Sequence, residues 1–146
     1  MEPLDLRLAP PRGPREKLAG LMFLPRVIDK LRATLPGGSV GAYFPYQGLS
    51  ALFERLTHID LYELRDRIAG AEREADVEAW VAARVNGEIV SKTNHVMERV
   101  TIEKISPDNL PLFESAAPAH LRERYRNLFD LLEVDDRESF QGIAEG

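Results

Sequence analysis

The stretch LPRVIDKLRATLPGGSVGAYFPYQ, residues 24–47, predicts a helix that ends in a glycine-rich, aromatic loop. Pro25 suits the first helical turn, because its missing N–H would have no partner there. Apolar residues then recur at intervals of three and four, which places them on one buried stripe; they are Leu24, Val27, Ile28, Leu31 and Leu35. Pro36, Gly37 and Gly38 end the predicted helix.

Charged residues occupy the other side of this predicted helix. Arg26, Asp29 and Arg32 are three positions apart, with Lys30 adjacent to Asp29. On an exposed face they form a row of weak ion pairs. If the row is buried beside the aromatic loop, Asp29 is a candidate catalytic base, and Arg26 or Arg32 is a candidate for binding a carboxylate at two points.

The loop that follows the helix contains three aromatic residues, Tyr43, Phe44 and Tyr46, within four positions. Loops carried on a rigid scaffold often supply ligand-binding residues. Aromatic rings can stack on a substrate, and a tyrosine hydroxyl can donate a proton. The loop is therefore either a substrate-binding segment or a lid that closes the edge of the core.

The rest of the chain predicts an all-α protein, a single compact bundle of about six helices. We expect a proline-rich, extended arm over residues 1–16, a helical domain over residues 17–135 and a polar tail over residues 136–146. Within the domain, residues 17–23 predict a short helix and residues 118–135 predict one long amphipathic helix.

Helix ends within the domain carry several candidate capping residues. Ser50 and Asp60 are candidate N-caps, and Glu63 follows Asp60 at the spacing of a capping box. Asn94 is a further candidate cap. Gly87 after Asn86 predicts the end of a helix, in preference to a hairpin turn.

Composition limits the class of protein. With 146 residues and 44% hydrophobic content, the chain has the size of one domain. No apolar run approaches the roughly 18 residues that span a bilayer, and the N-terminus lacks the pattern of a signal peptide, so a cytoplasmic protein without a membrane partner is expected. The absence of cysteine excludes disulfides and thiolate chemistry.

Charge is unevenly distributed along the chain. The net charge is −5, yet residues 1–50 contain seven basic and four acidic residues. Nucleic-acid binding requires several clustered cations, so this acidic chain is not expected to bind nucleic acid. The basic first third favours a small anionic or aromatic ligand.

The sequence offers few other candidate catalytic groups. His58 lies at the predicted junction of two helices, where an imidazole with a pKa near neutrality suits acid–base catalysis. His95 and His120 are expected at the surface, and no histidine pair has the spacing of metal ligands. No nucleophile elbow, phosphate-binding loop or dinucleotide fingerprint is present, so neither a metal nor a cofactor is expected.

These observations leave two hypotheses. The first is a small-molecule enzyme or binding protein, a cofactor-independent lyase, isomerase or hydrolase acting on a small organic acid. Asp29 or His58 would then be the base, while Arg26, Arg32, Tyr43, Phe44 and Tyr46 would bind the substrate. The second is a helical interaction module without catalysis, which could form a homodimer through an exposed apolar patch.

Several short motifs resemble a family of small bacterial proteins known only as a domain of unknown function. They are L-D-L at residues 4–6, P-R-G-P-R at 11–15, L-P-R-V-I-D-K at 24–30 and T-H-I-D at 57–60. With the aromatic loop, the resemblance covers roughly residues 4–82, and L-P-R-x-I-D-K is its most specific signature. The resemblance implies no established activity and supplies no catalytic residues.

Overall fold

The computed structural model describes residues 1–141 and is mostly α-helical, as the sequence predicts. Its helices are α1 (Leu24–Arg32), α2 (Leu49–Thr57), α3 (Leu61–Gly70), α4 (Glu74–Ala82), α5 (Gly87–Met97), α6 (Leu110–Ala116), α7 (Ala119–Arg124) and α8 (Leu128–Ser139). A short 3-10 helix, Ile102–Lys104, lies between α5 and α6. The described residues thus contain eight α-helices, and the prediction of about six is wrong in number.

Helix α1 is the centre of the fold. Pro25 lies in its first turn, as predicted, and the apolar stripe Leu24, Val27, Ile28 and Leu31 is fully buried. Of the two alternatives for the charged row, the exposed one is wrong, because Arg26, Asp29 and Lys30 are also buried. A helix that is buried on nearly every side must find distant partners for its charges, since an unpaired buried charge is costly.

Residues 17–23 do not form the predicted helix. They form a hairpin of two short antiparallel strands, β1 (Lys17–Leu18) and β2 (Leu21–Met22). Its two turn residues, Ala19 and Gly20, have φ values of 52° and 77°, the positive values that a type I′ turn requires. The Asn94 side chain accepts from the Met22 N–H and donates to the Gly20 carbonyl, at 2.8 Å each. A side chain from α5 therefore completes the hairpin.

Some of the helix ends predicted from the sequence are confirmed, and others are wrong. Asp60 caps α3 as expected, with its carboxylate 2.9 Å from the Glu63 N–H. Asn86 is the N-cap of α5, accepting from the Ile89 N–H at 2.8 Å, so the expected helix end at Gly87 is wrong. Ser50 is not a cap, because Gly48 takes that position and Ser50 lies inside α2.

The predicted long C-terminal helix is two helices. The chain leaves α7 after Arg124, and the Asn127 side chain caps α8 by accepting from the Asp130 N–H. The Thr101–Asn127 bridge holds this break, which amphipathic periodicity alone does not reveal. Helix α8 continues to Ser139, past the expected start of the tail at residue 136; residues 142–146 of that tail lie outside the described residues.

Two apolar clusters organise the packing. The larger one surrounds α1 and includes Phe23, Phe53, Trp80 and Phe129. A smaller cluster joins α7 and α8 through Ala117, Leu121 and Leu131. Within residues 1–141, no helix is long and apolar enough to cross a membrane.

The N-terminal arm lies across α1 and the residues that follow it. Leu6 donates its N–H to the Ser39 carbonyl at 2.9 Å, and the Ser39 N–H binds the Leu4 carbonyl at 3.0 Å. The buried Leu6 side chain anchors the arm. The arm therefore contributes to one wall of the space between α1 and the C-terminal helices.

Candidate functional site

A cavity of about 800 Å³ lies between the two apolar clusters. Its lining comes from the arm, α1, the aromatic loop, α2, α6 and α8. Most of the wall is apolar, formed by residues such as Phe23, Leu52, Phe113, Leu131 and Leu132. Small-molecule sites have this size and this apolar character, with a few polar groups that orient the ligand.

The polar floor of the cavity is built around Arg26. Its NH1 lies 2.6 Å from Oδ2 of Asp136, and its NH2 lies 3.3 Å from Oδ1. The Tyr43 hydroxyl donates to the same Oδ1 at 2.8 Å, and the Arg26 guanidinium lies 5.4 Å from the Tyr43 ring centre. Burial, and then the Asp136 carboxylate, raise the pKa of Tyr43 above its ordinary value of 10.

Lys30 is the second polar group of the floor. It lies one turn after Arg26 on α1, is 6% exposed and lines the cavity. Its Nζ binds Oγ of the buried Ser50 and lies 3.2 Å from the Phe44 carbonyl. Among the described residues no carboxylate forms an ion pair with it. Burial first, and then the neighbouring Arg26 cation, lower the pKa of Lys30 well below its ordinary value.

Asp135 is the only acidic residue among the described residues that line the cavity. It is half-buried, and burial raises the pKa of its carboxyl group, to which the adjacent Asp136 carboxylate also contributes. The Ser139 hydroxyl, 3.3 Å from Oδ1, acts in the opposite direction. Burial therefore shifts both groups, the amine of Lys30 and the carboxyl group of Asp135, toward their uncharged forms.

Asp29 lies outside this cavity and binds Arg12 of the arm. Its Oδ2 accepts from the Arg12 N–H at 2.8 Å and from Nε at 3.1 Å, and its Oδ1 accepts from NH2 at 3.0 Å. The same guanidinium also binds Glu74 of α4. Neither Arg26 nor Arg32 pairs with Asp29 within the described residues. Asp29 thus holds the arm and α4 to α1.

Only some of the other predicted site residues line the cavity. Phe44 lines the cavity beside Tyr43. Tyr46 instead stacks on Tyr62, with ring centres 4.4 Å apart. Arg32 donates to the Glu2 carbonyl at 2.8 Å, and His58 is an exposed residue at the end of α2. The structure therefore brings Arg26, Tyr43 and Phe44 together and leaves Asp29, Arg32, His58 and Tyr46 outside the lining.

Sequence reasoning assigned no role to Lys30, Asp135 or Asp136. Lys30 lies at position i+4 from Arg26, so a buried α1 would have placed both on one face. No comparable signal marks Asp135 and Asp136, which are two of many acidic residues in the C-terminal part of the chain. Their role depends on where α8 packs. Residues 1–141 contain no group of three or more histidine or acidic side chains that could hold a metal ion.

Comparison with known proteins identifies the family. A family model described as a domain of unknown function, DUF5069, matches residues 8–138. A comparison with curated proteins finds no match. The chain belongs to the DUF5069 family, which confirms the resemblance noted in its sequence.

Proposed function

We propose that this DUF5069 protein binds a small organic acid with an apolar body in the cavity, and acts on it by acid–base chemistry without a cofactor. The observation that carries this proposal is the cavity itself, a space of about 800 Å³ with apolar walls and a floor of ionisable groups. A ligand in such a space would bury its apolar part against the walls and place its polar atoms at the floor.

The charge of the lining supports an acidic ligand. Five basic residues and one acidic residue line the cavity within the described part of the chain; the basic ones are Arg7, Arg26, Lys30, Arg55 and Lys104. Arg26 is neutralised by Asp136, and the exposed Arg7 is paired with Asp5. Arg55 and Lys104 are exposed and form no ion pair with a described residue, so they provide positive potential that attracts an anion.

The placement of ionisable groups supports acid–base chemistry by residues other than those the sequence favoured. Lys30 and Asp135 have pKa values displaced in opposite senses from their ordinary values. Displaced pKa values within a cavity are typical of catalytic acids and bases. We therefore assign the base to Lys30 and the acid to Asp135, in place of Asp29 and His58. Tyr43 and Phe44 would contact the ligand.

The alternative, an interaction module, requires rings on an exposed apolar patch. The large hydrophobic residues exposed within residues 1–141 are Leu8, Phe44 and Tyr62. Phe44 borders the cavity and the Tyr62 ring is stacked on Tyr46, so two of the three already have contacts within the chain. This arrangement favours the binding-protein hypothesis over the module, including the homodimer.

A thermal-shift screen of small carboxylic acids tests the proposal. An acid that binds only the native state at one hundred times its dissociation constant should raise the melting temperature by about 5–10 °C. Ala116 lines the cavity and is exposed, so a tryptophan there would fill part of the space. Ala116→Trp should reduce the shift, whereas Ala69→Trp, at an exposed site on α3, should not.

Two results would contradict the proposal. If no acid stabilises the wild type and the protein is a dimer by light scattering, the interaction module replaces it. If an acid stabilises the wild type and Ala116→Trp equally, the ligand binds elsewhere and the assignment of the cavity is wrong.

A further inference from the structure

We propose that Lys30 is a nucleophile that forms a covalent imine with the carbonyl group of a keto acid held in the cavity. This inference rests on the proposed function, because it names the substrate class of the same cavity. It adds that Lys30 forms a covalent bond to the carbonyl carbon of the substrate. The keto acid supplies a carboxylate for the basic lining and a carbonyl carbon for the amine.

The surroundings of Lys30 favour an amine rather than an ammonium group. An ammonium group has three N–H donors, whereas Lys30 has two oxygen partners within the described residues, Ser50 Oγ and the Phe44 carbonyl. Neither oxygen carries a charge. Among the described residues, the carboxylate whose charge raises the pKa of Lys30 is that of Asp136, and Arg26 already binds it. A buried cation without its own counter-ion is disfavoured, which shifts the amine toward its neutral, nucleophilic form.

The same contacts hold the amine in place. Ser50 lies in the first turn of α2, and its side chain is fully buried. Lys30 lines the cavity, whereas Ser50 does not. The lysine nitrogen, rather than the serine oxygen, is therefore the group that a ligand would meet. The ring of Phe23, which also lines the cavity, has its centre 5.2 Å from Nζ.

The reaction needs no oxidant, reductant or second substrate. The Nζ lone pair forms a bond to the carbonyl carbon, the C=O π pair moves to oxygen, and one N–H proton passes to that oxygen. Asp135, the acid in the lining, then protonates the hydroxyl group; the C–O bond breaks and water leaves. The products are a protonated imine on Lys30 and the Asp135 carboxylate. The cationic imine can accept electrons from an adjacent C–C or C–H bond, which suits a lyase or an isomerase.

Reductive trapping on the full chain tests the inference. The protein is incubated at neutral pH with pyruvate, phenylpyruvate or ketoisocaproate, and sodium borohydride is then added. Trapping should add the mass of the keto acid less one oxygen atom. Peptide mapping should place this addition on Lys30 rather than on the exposed Lys17, Lys92 or Lys104. Loss of the adduct is expected in Lys30→Met. Lys92→Met, which alters an exposed lysine of α5 outside the lining, should retain it.

Matched acids separate failure of this inference from failure of the proposed function. Propionate, hydrocinnamate and isocaproate have the same carbon skeletons without the keto group, so they can bind but cannot form an imine. If the keto acids and their matched acids raise the melting temperature and borohydride traps nothing on Lys30, the inference is overturned while the proposed function stands. If neither set raises the melting temperature, both fail. Circular dichroism confirms that Lys30→Met is folded before its loss of labelling is interpreted.

Discussion

The Arg26 guanidinium binds the Asp136 carboxylate across 110 positions of the chain, at 2.6 Å for the shorter of its two contacts. Arg26 is 2% exposed and Asp136 is 7% exposed, so removing either side chain leaves the other charge buried without its partner. The pair joins α1 to α8 and also receives the Tyr43 hydroxyl of the aromatic loop. Three distant segments therefore depend on one buried carboxylate.

Removing one partner of this pair should destabilise the fold strongly. We expect Asp136→Leu to lower the free energy of unfolding by about 3–5 kcal/mol, because it leaves the buried Arg26 cation unpaired. The double variant Arg26→Met with Asp136→Leu should recover much of the loss, since it removes both charges. Urea denaturation measures both changes. A double variant no more stable than Asp136→Leu would contradict the expected coupling.

Stability should depend on pH through Lys30. The pKa of Lys30 in the folded protein lies below its ordinary value of 10.5. At a pH between these two values, the unfolded chain therefore binds a proton that the native state does not bind. The free energy of unfolding therefore rises with pH across this interval and levels off above pH 10.5.

Replacing the amine should remove that dependence. At neutral pH, Lys30→Met should be more stable than the wild type by about 1 kcal/mol. This is near the lower end of the stabilisation seen when buried ionic groups are replaced by hydrophobic ones. The gain is small because Ser50 loses its hydrogen-bond partner. The difference should shrink as the pH approaches 10.5. Urea denaturation at several pH values measures it. A difference that is independent of pH would show that Lys30 is protonated in the native state.

Tyr43 should ionise only at strongly alkaline pH. Burial and Asp136 raise its pKa above 10, so the native state retains a proton that the unfolded chain loses, and its contribution to stability falls as the pH rises above 10. Tyrosinate absorbance during an alkaline titration should show one late step. Tyr43→Phe should abolish that step.

The bond between Arg12 and Asp29 should require an arginine. Arg12→Lys cannot reproduce the contacts of Nε and NH2 with both carboxylate oxygens, so we expect a loss of about 1–3 kcal/mol in the free energy of unfolding. Limited proteolysis should also cut the arm faster. Arg7→Lys, at an exposed pair with Asp5, is the matched control and should leave both measurements nearly unchanged. Equal effects of the two substitutions would contradict a specific role for Arg12.

Local information in the sequence was sufficient for several helices. The apolar stripe of α1 and the Asp60 cap of α3 depend on residues within four positions of one another, so periodicity and capping chemistry predict them. The same reasoning misassigned residues 17–23. That hairpin is completed by Asn94, 74 positions from Gly20, and no local pattern reports such a contact.

The candidate site, too, depends partly on local sequence patterns and partly on contacts between distant residues. The sequence determined that Arg26 and Lys30 share α1 and that an aromatic loop follows them. Only the tertiary structure decided that these residues line a cavity, because α8 brings Asp135 and Asp136 to one side of α1 while the arm brings Arg12 to Asp29. A buried charge takes whichever opposite charge the packing places within a few ångströms, and sequence separation does not enter that energy.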